Sequence, residues 1–100
     1  MFSRDKFITR GIQSEVPVWM QEFMWQSIDK MDVVAKDYLQ VFRLIQSGQP
    51  GKLVQKIIHS QEEPVYKKEY LFPGVASIIE SRIFVIDDSS HCTMLLADEY

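Results

Sequence analysis

Arg82-Ile-Phe-Val-Ile-Asp-Asp-Ser-Ser-His-Cys-Thr-Met-Leu-Leu-Ala97 is the stretch that decides the fold. Two apolar runs flank Asp87-Asp88-Ser89-Ser90, whose side chains accept hydrogen bonds from nearby backbone N–H groups and so favour a turn. The pattern predicts an antiparallel β-hairpin. Working back from it, Pro73-Gly74 breaks an alternating strand over residues 65–72, and residues 75–80 fit a helical turn or a loop. Gln61-Glu62-Glu63-Pro64 joins that strand to another over residues 53–58. Ser47-Gly48-Gln49-Pro50-Gly51 separates this one from a strand over residues 38–45.

Further upstream the apolar period lengthens from 2 to 3.6, and a helix is expected over residues 17–31. Ser14-Glu15-Val16-Pro17 supplies a polar capping residue, an acid and a proline where its missing N–H costs little. Val16, Met20, Phe23, Met24 and Met31 share one helix face. Residues 7–10 read as a short strand ended by Gly11. The expected fold is α+β: one domain over residues 1–100, with a mostly antiparallel twisted sheet of five or six strands and one main helix on one face. Its core should hold Met20, Phe23, Met24, Met31, Phe42, Leu44, Ile57, Phe84, Ile86 and Leu95, with either the Tyr70 or the Leu71 set.

The 100 residues, 46% hydrophobic, suffice for one core. A single cysteine, Cys92, permits no disulfide within the chain, and no apolar run approaches the ~20 residues that cross a bilayer. With no apolar segment behind the basic N-terminus, a cytoplasmic protein is expected. Net charge is +2 over residues 1–60 and −5 over residues 61–100, which disfavours general nucleic-acid binding. Lys52, Lys56, Lys67 and Lys68 interleave with Tyr66, Tyr70 and Phe72, but Glu62, Glu63 and Glu69 would repel phosphate, so core aromatics beneath solvent-facing lysines are expected.

Catalytic chemistry finds no motif. His91 and Cys92 are adjacent on a strand and point to opposite faces. Ser89 and Ser90 lack a nucleophile elbow, and the four glycines fit no phosphate or dinucleotide loop, so no cofactor is expected. Asp87, Asp88 and His91, with His59, form the candidate set for an alternative reading as a weak divalent-metal site or small enzyme. The leading expectation is a protein-interaction or regulatory module that binds another protein or a second copy of itself. Trp25 lies about 140° around the helix from Met20, off the expected core face, and Trp19 flanks it, with Phe2 as a further candidate for the same patch.

Ile8-Thr-Arg-Gly-Ile12 with Glu15-Val-Pro17, Phe23-Met-Trp25, Asp37-Tyr-Leu-Gln-Val-Phe42, Ile58-His-Ser-Gln-Glu-Glu-Pro64, Val85-Ile-Asp-Asp88 and Thr93-Met-Leu-Leu-Ala97 together resemble a small bacterial family. It is catalogued as domain of unknown function 960 and found mainly in Gram-positive bacteria. The resemblance implies a stand-alone cytoplasmic protein of about this length and brings no catalytic residue, cofactor or partner.

Overall fold

The computed structural model describes residues 2, 5–48 and 51–100. Among these, the elements in chain order are β1 (Lys6–Ile8), α1 (Arg10–Glu15), α2 (Val18–Asp29), β2 (Leu39–Ser47), β3 (Val54–Gln61), β4 (Tyr66–Pro73), β5 (Ser81–Asp87), β6 (Cys92–Leu96) and a 3-10 turn at Ala97–Glu99. The described strands form one six-stranded sheet in the order β1-β6-β5-β2-β3-β4. The short links β2–β3, β3–β4 and β5–β6 make antiparallel pairs, as two-stranded turns require. Residues 75–80 form neither helix nor strand, and they carry the chain back so that β5 lies antiparallel against β2.

The expected α+β, mostly antiparallel architecture holds in outline, and two features refine it. β1 pairs with β6 in parallel, so the sheet is mixed. Residues 10–15 form a helix, α1, where the sequence reading placed the end of a strand and a capping segment. Thr9 caps this helix, its hydroxyl accepting from Ile12 N at 3.4 Å and donating to Glu99 Oε1 at 2.6 Å. Ser14 and Glu15 therefore sit inside α1, and α2 begins after Pro17 without a side-chain cap. The junction is held instead by Gln21, whose amide donates to Val16 O at 2.8 Å.

Both helices cover one face of the sheet. Ile12, Val16, Met20, Met24 and Ile28 pack on Phe42, Leu44, Ile57, Ile83, Val85, Cys92, Met94 and Leu96, all buried. Each large side chain removed from water here contributes about 1.5–3 kcal/mol relative to exposure. The expected Met20, Met24, Met31, Phe42, Leu44 and Ile57 are in this core, while Phe23 packs half-buried against it. On β4 the Tyr70 set faces inward, and Leu71 is exposed.

β5 has the opposite register from the expected one. Ile83 and Val85 point into the core, so Phe84 and Ile86 face the other side of the sheet and are half-buried. Leu95, opposite Phe84, is buried on that same outer side. Apolar residues occupy both faces of β5, so alternation alone cannot orient it; pairing with β2, Phe42 against Ile83, does.

Candidate functional site

Two regions concentrate polar chemistry: a buried polar spine beneath the helices and the sheet face that the helices leave open. The spine begins at Ser27 of α2, whose hydroxyl lies 2.8 Å from His59 Nδ1 on β3. His59 Nε2 lies 2.7 Å from Gln40 Oε1 on β2. Since an amide oxygen only accepts, Nε2 carries the proton and Nδ1 accepts from Ser27. Gln40 then donates to Asp37 O at 2.9 Å and to Gln61 Oε1 at 2.7 Å. Gln61 in turn donates to Ala35 O at 3.2 Å and Pro64 O at 2.8 Å, and accepts from Asp37 N at 2.8 Å. At the outer end of the chain, the Tyr70 hydroxyl is 3.4 Å from Ser27 Oγ.

His59 is fully buried, stacked on Phe42 with ring centroids 4.3 Å apart and edge-on to Tyr66 at 5.2 Å. Burial, with the nearby Lys36 charge adding to it, pushes its pKa down to about 4. The ring is therefore neutral at pH 7, which suits a donor–acceptor link and leaves no buried charge to compensate. A second glutamine, Gln55, is buried at the other end of β3 and exchanges hydrogen bonds with the Ile79 backbone at 2.8 and 2.9 Å. That exchange ties down the irregular segment before β5. These inward glutamines were not anticipated; the signal for them is that Gln40, Gln55, His59 and Gln61 share parity with Phe42 and Ile57.

The candidate metal residues occupy three different environments. Asp88 and His91 face each other at the hairpin tip, His91 Nε2 lying 3.3 Å from Asp88 Oδ2. Asp88 Oδ1 accepts from His91 N, Ser90 N and the Ser90 hydroxyl at 3.0, 3.0 and 2.9 Å, and these bonds hold its carboxyl down at about 2. Asp87 is buried on the inner side, its Oδ1 accepting from Ser89 N at 3.0 Å, and the tip closes with Ser89 at φ +76°. His59 lies in the core. Among the described residues, no group of three or more His, Cys, Asp and Glu is arranged to hold a metal ion. The tip's arrangement is that of a hydrogen-bonded turn.

The tryptophans lie on opposite flanks of α2. Trp25 is half-buried against the core, with the Lys6 ammonium of β1 over its ring at 5.7 Å. Phe2, expected beside it in an exposed patch, is buried in the core cluster. Trp19 is 41% exposed and meets Phe72 of β4 edge-to-face at 5.2 Å. Phe23 adds contacts to Tyr70 and Phe72 at 4.7 and 4.8 Å. Tyr66, Tyr70 and Phe72 thus point toward the helices, while Lys56 and Lys67 point outward, where Glu69 pairs with them at 2.7 and 3.7 Å.

The open face carries the outward residues of every strand. Leu39, Val41 and Ile45 of β2, Ile58 of β3, Phe84 and Ile86 of β5 and Leu95 of β6 make an apolar floor. All are half-buried except Leu95, which is buried. Tyr100 meets Phe84 edge-on at 5.7 Å. Arg43 and Arg82 stand directly opposite each other on β2 and β5 in the middle of this floor. Beside them a cavity of about 390 Å³ opens between Tyr38, Leu39, Val41, Ser60, Arg82 and Phe84, and Asp37, Gln61 and Glu62 line it too.

This geometry defines a two-layer α+β protein with a sealed polar spine and an uncovered sheet face. The family model described as Staphylococcal protein of unknown function (DUF960) matches residues 5–99, and the chain belongs to that family. It is similar in structure to a protein of unknown function from Enterococcus faecalis, seen in a crystal structure. The two share 27% sequence identity and a TM-score of 0.78, the match covering 97% of this chain and 91% of that one. No curated protein matches the chain. No helix among the described residues is long and apolar enough to cross a membrane.

Proposed function

We propose that this protein is a small non-enzymatic interaction module of the bacterial cytoplasm that binds another protein through its open sheet face. The observation that carries the reading is the composition of that face. A solvated sheet face is ordinarily written in polar residues, whereas here Leu39, Val41, Ile45, Ile58, Phe84 and Ile86 occupy outward positions around the Arg43–Arg82 pair. An apolar patch of this kind marks an interaction surface. The role expected of Trp25 passes to this face, because Trp25 is packed against the core beneath Lys6. The single cysteine of the sequence, Cys92, is buried, which accords with a reducing compartment.

Site-specific photo-crosslinking in a staphylococcal host tests the reading. A photoreactive residue at Ile58 or Phe84 should give a discrete adduct with another protein, and one at Glu22 on the exposed side of α2 should not. Equal labelling from both sides, or no adduct from the open face, would refute it.

A further inference from the structure

The open face is not uniformly apolar, and its charges point to the chemistry of what covers it. Arg43 and Arg82 are exposed cross-strand partners, and like charges placed directly opposite on a sheet repel. The ion pairs among the described residues are Lys56–Glu69, Lys67–Glu69 and His91–Asp88, and neither arginine takes part in one or in a side-chain hydrogen bond. Carboxylates do line the clefts at Arg82, Asp37 and Glu62 in one and Glu15, Glu80 and Asp98 in the other, but among the described residues none forms an ion pair with Arg43 or Arg82, so both planar donor forks can take a carboxylate from outside. The cavity next to Arg82 has the volume of a small-ligand site and an apolar base, Val41 and Phe84.

We propose that the Arg43–Arg82 pair and this cavity receive an acidic, apolar peptide segment of a partner protein. An aliphatic or aromatic side chain of the segment fills the cavity over Val41 and Phe84, and its neighbouring carboxylates bridge the two arginines. This rests on the open-face reading and adds the chemistry of the partner. Asp37 and Glu62 line the same cavity as Arg82, so the segment presents its apolar side chain to the cavity and its carboxylates to the two arginines.

A second copy of this chain is a poorer occupant. Packing the open face on its twin about a twofold axis through the Arg43–Arg82 pair would set four arginines together, and the outward carboxylate of β4, Glu69, already lies between Lys56 and Lys67. A flat polyphosphate surface would use the arginines and leave the cavity and its apolar base unfilled.

The probe is a synthetic end-blocked peptide of alternating Glu and Leu with a central Phe, compared with the same peptide carrying Gln in place of Glu. Both are titrated into the full isotope-labelled chain by NMR. The Glu peptide should shift the amides of Val41, Arg43, Arg82 and Phe84, and the Gln peptide should bind at least tenfold more weakly. Arg43→Gln and Arg82→Gln should each weaken the Glu peptide roughly tenfold, the loss expected for a charge-assisted bond, without disturbing the remaining spectrum. Equal affinity for the two peptides at this face overturns the acidic specificity and leaves the open-face reading intact. No shift with either peptide overturns the proposal, and the crosslinking result then judges the open-face reading separately. Shifts of the same amides on raising protein concentration alone would overturn it in favour of a second copy.

Discussion

Acidifying the protein from about pH 7 to about pH 5 should destabilise it by roughly 2 kcal/mol through His59 alone. The pKa is depressed from 6.5 to about 4 in the folded state, chiefly by burial and further by Lys36. The fold therefore favours the neutral ring, and the unfolded chain takes up a proton first. Its contribution is fully present above the unfolded value and is lost as pH falls from about 6.5 toward about 4. At about 1.36 kcal/mol per pH unit, the whole displacement is worth about 3.4 kcal/mol, of which roughly 2 falls above pH 5.

The groups facing the ring leave this window to it. Tyr66 of β4 is raised still further above this window, by its burial and then by Tyr70. Depressed carboxyls at Glu69, Asp88 and Glu99 also lose their contributions as pH falls, but mainly through their own ordinary range near 4. Urea denaturation of the wild type and of His59→Gln at both pH values separates these terms. The variant should start less stable and lose about 2 kcal/mol less on acidification. Equal losses in the two proteins would refute the argument, as would imidazole nitrogen shifts showing a charged ring in the folded protein at about pH 5.

Three further outcomes are expected. Met24→Ala should cost about 2–5 kcal/mol in urea melts, because its fully buried side chain lies between α2 and the sheet and leaves a cavity. Thr9→Ala should cost about 1 kcal/mol as a lost helix cap. It should also raise the Glu99 carboxyl toward its ordinary value in an NMR titration, since the Thr9 hydroxyl is the leading cause of that depression. In Trp19→Phe, the remaining Trp25 should emit at shorter wavelength and resist acrylamide better than Trp19 does in Trp25→Phe. The reverse order would mean that β1 and Lys6 do not cover Trp25.

The hairpin and α2 were legible because their signals are local. Turn-forming Asp and Ser side chains mark the first, and the Met20, Met24, Met31 stripe marks the second. α1 was hidden because Gly11 and Ser14 are weak helix formers and its cap, Thr9, reads equally well as strand. The parallel pairing of β1 leaves no local trace: three residues find β6 across most of the chain length, directed by Thr9 N on Met94 O at 3.1 Å and Cys92 N on Asp5 O at 2.8 Å. Trp25, set off the core face by the helical wheel, is packed all the same for a related reason. A helical wheel locates one core face, but the flanks of α2 are packed too, by β1 on one side and the β4 aromatics on the other. The candidate site was least legible because apolar outward residues on β2 and β5 look, in sequence, like more core.

That ambiguity gives the buried spine its physical purpose. β2 is apolar on both faces, with Phe42 and Leu44 on one and Leu39, Val41 and Ile45 on the other, so hydrophobic burial alone would accept either face under the helices. A slip of one residue would exchange them. Ser27, His59, Gln40 and Gln61 complete their hydrogen bonds in one arrangement only, with α2 over the Phe42 side. In the exchanged arrangement Gln40 and Gln61 would turn outward, and Ser27 would face Arg43 and Ile58 instead of His59. Burying polar groups is costly unless every partner is present, so the cost falls on the wrong register and spares the right one. The spine thus selects which face the helices cover, and thereby which face, carrying Arg43 and Arg82, is left for a partner.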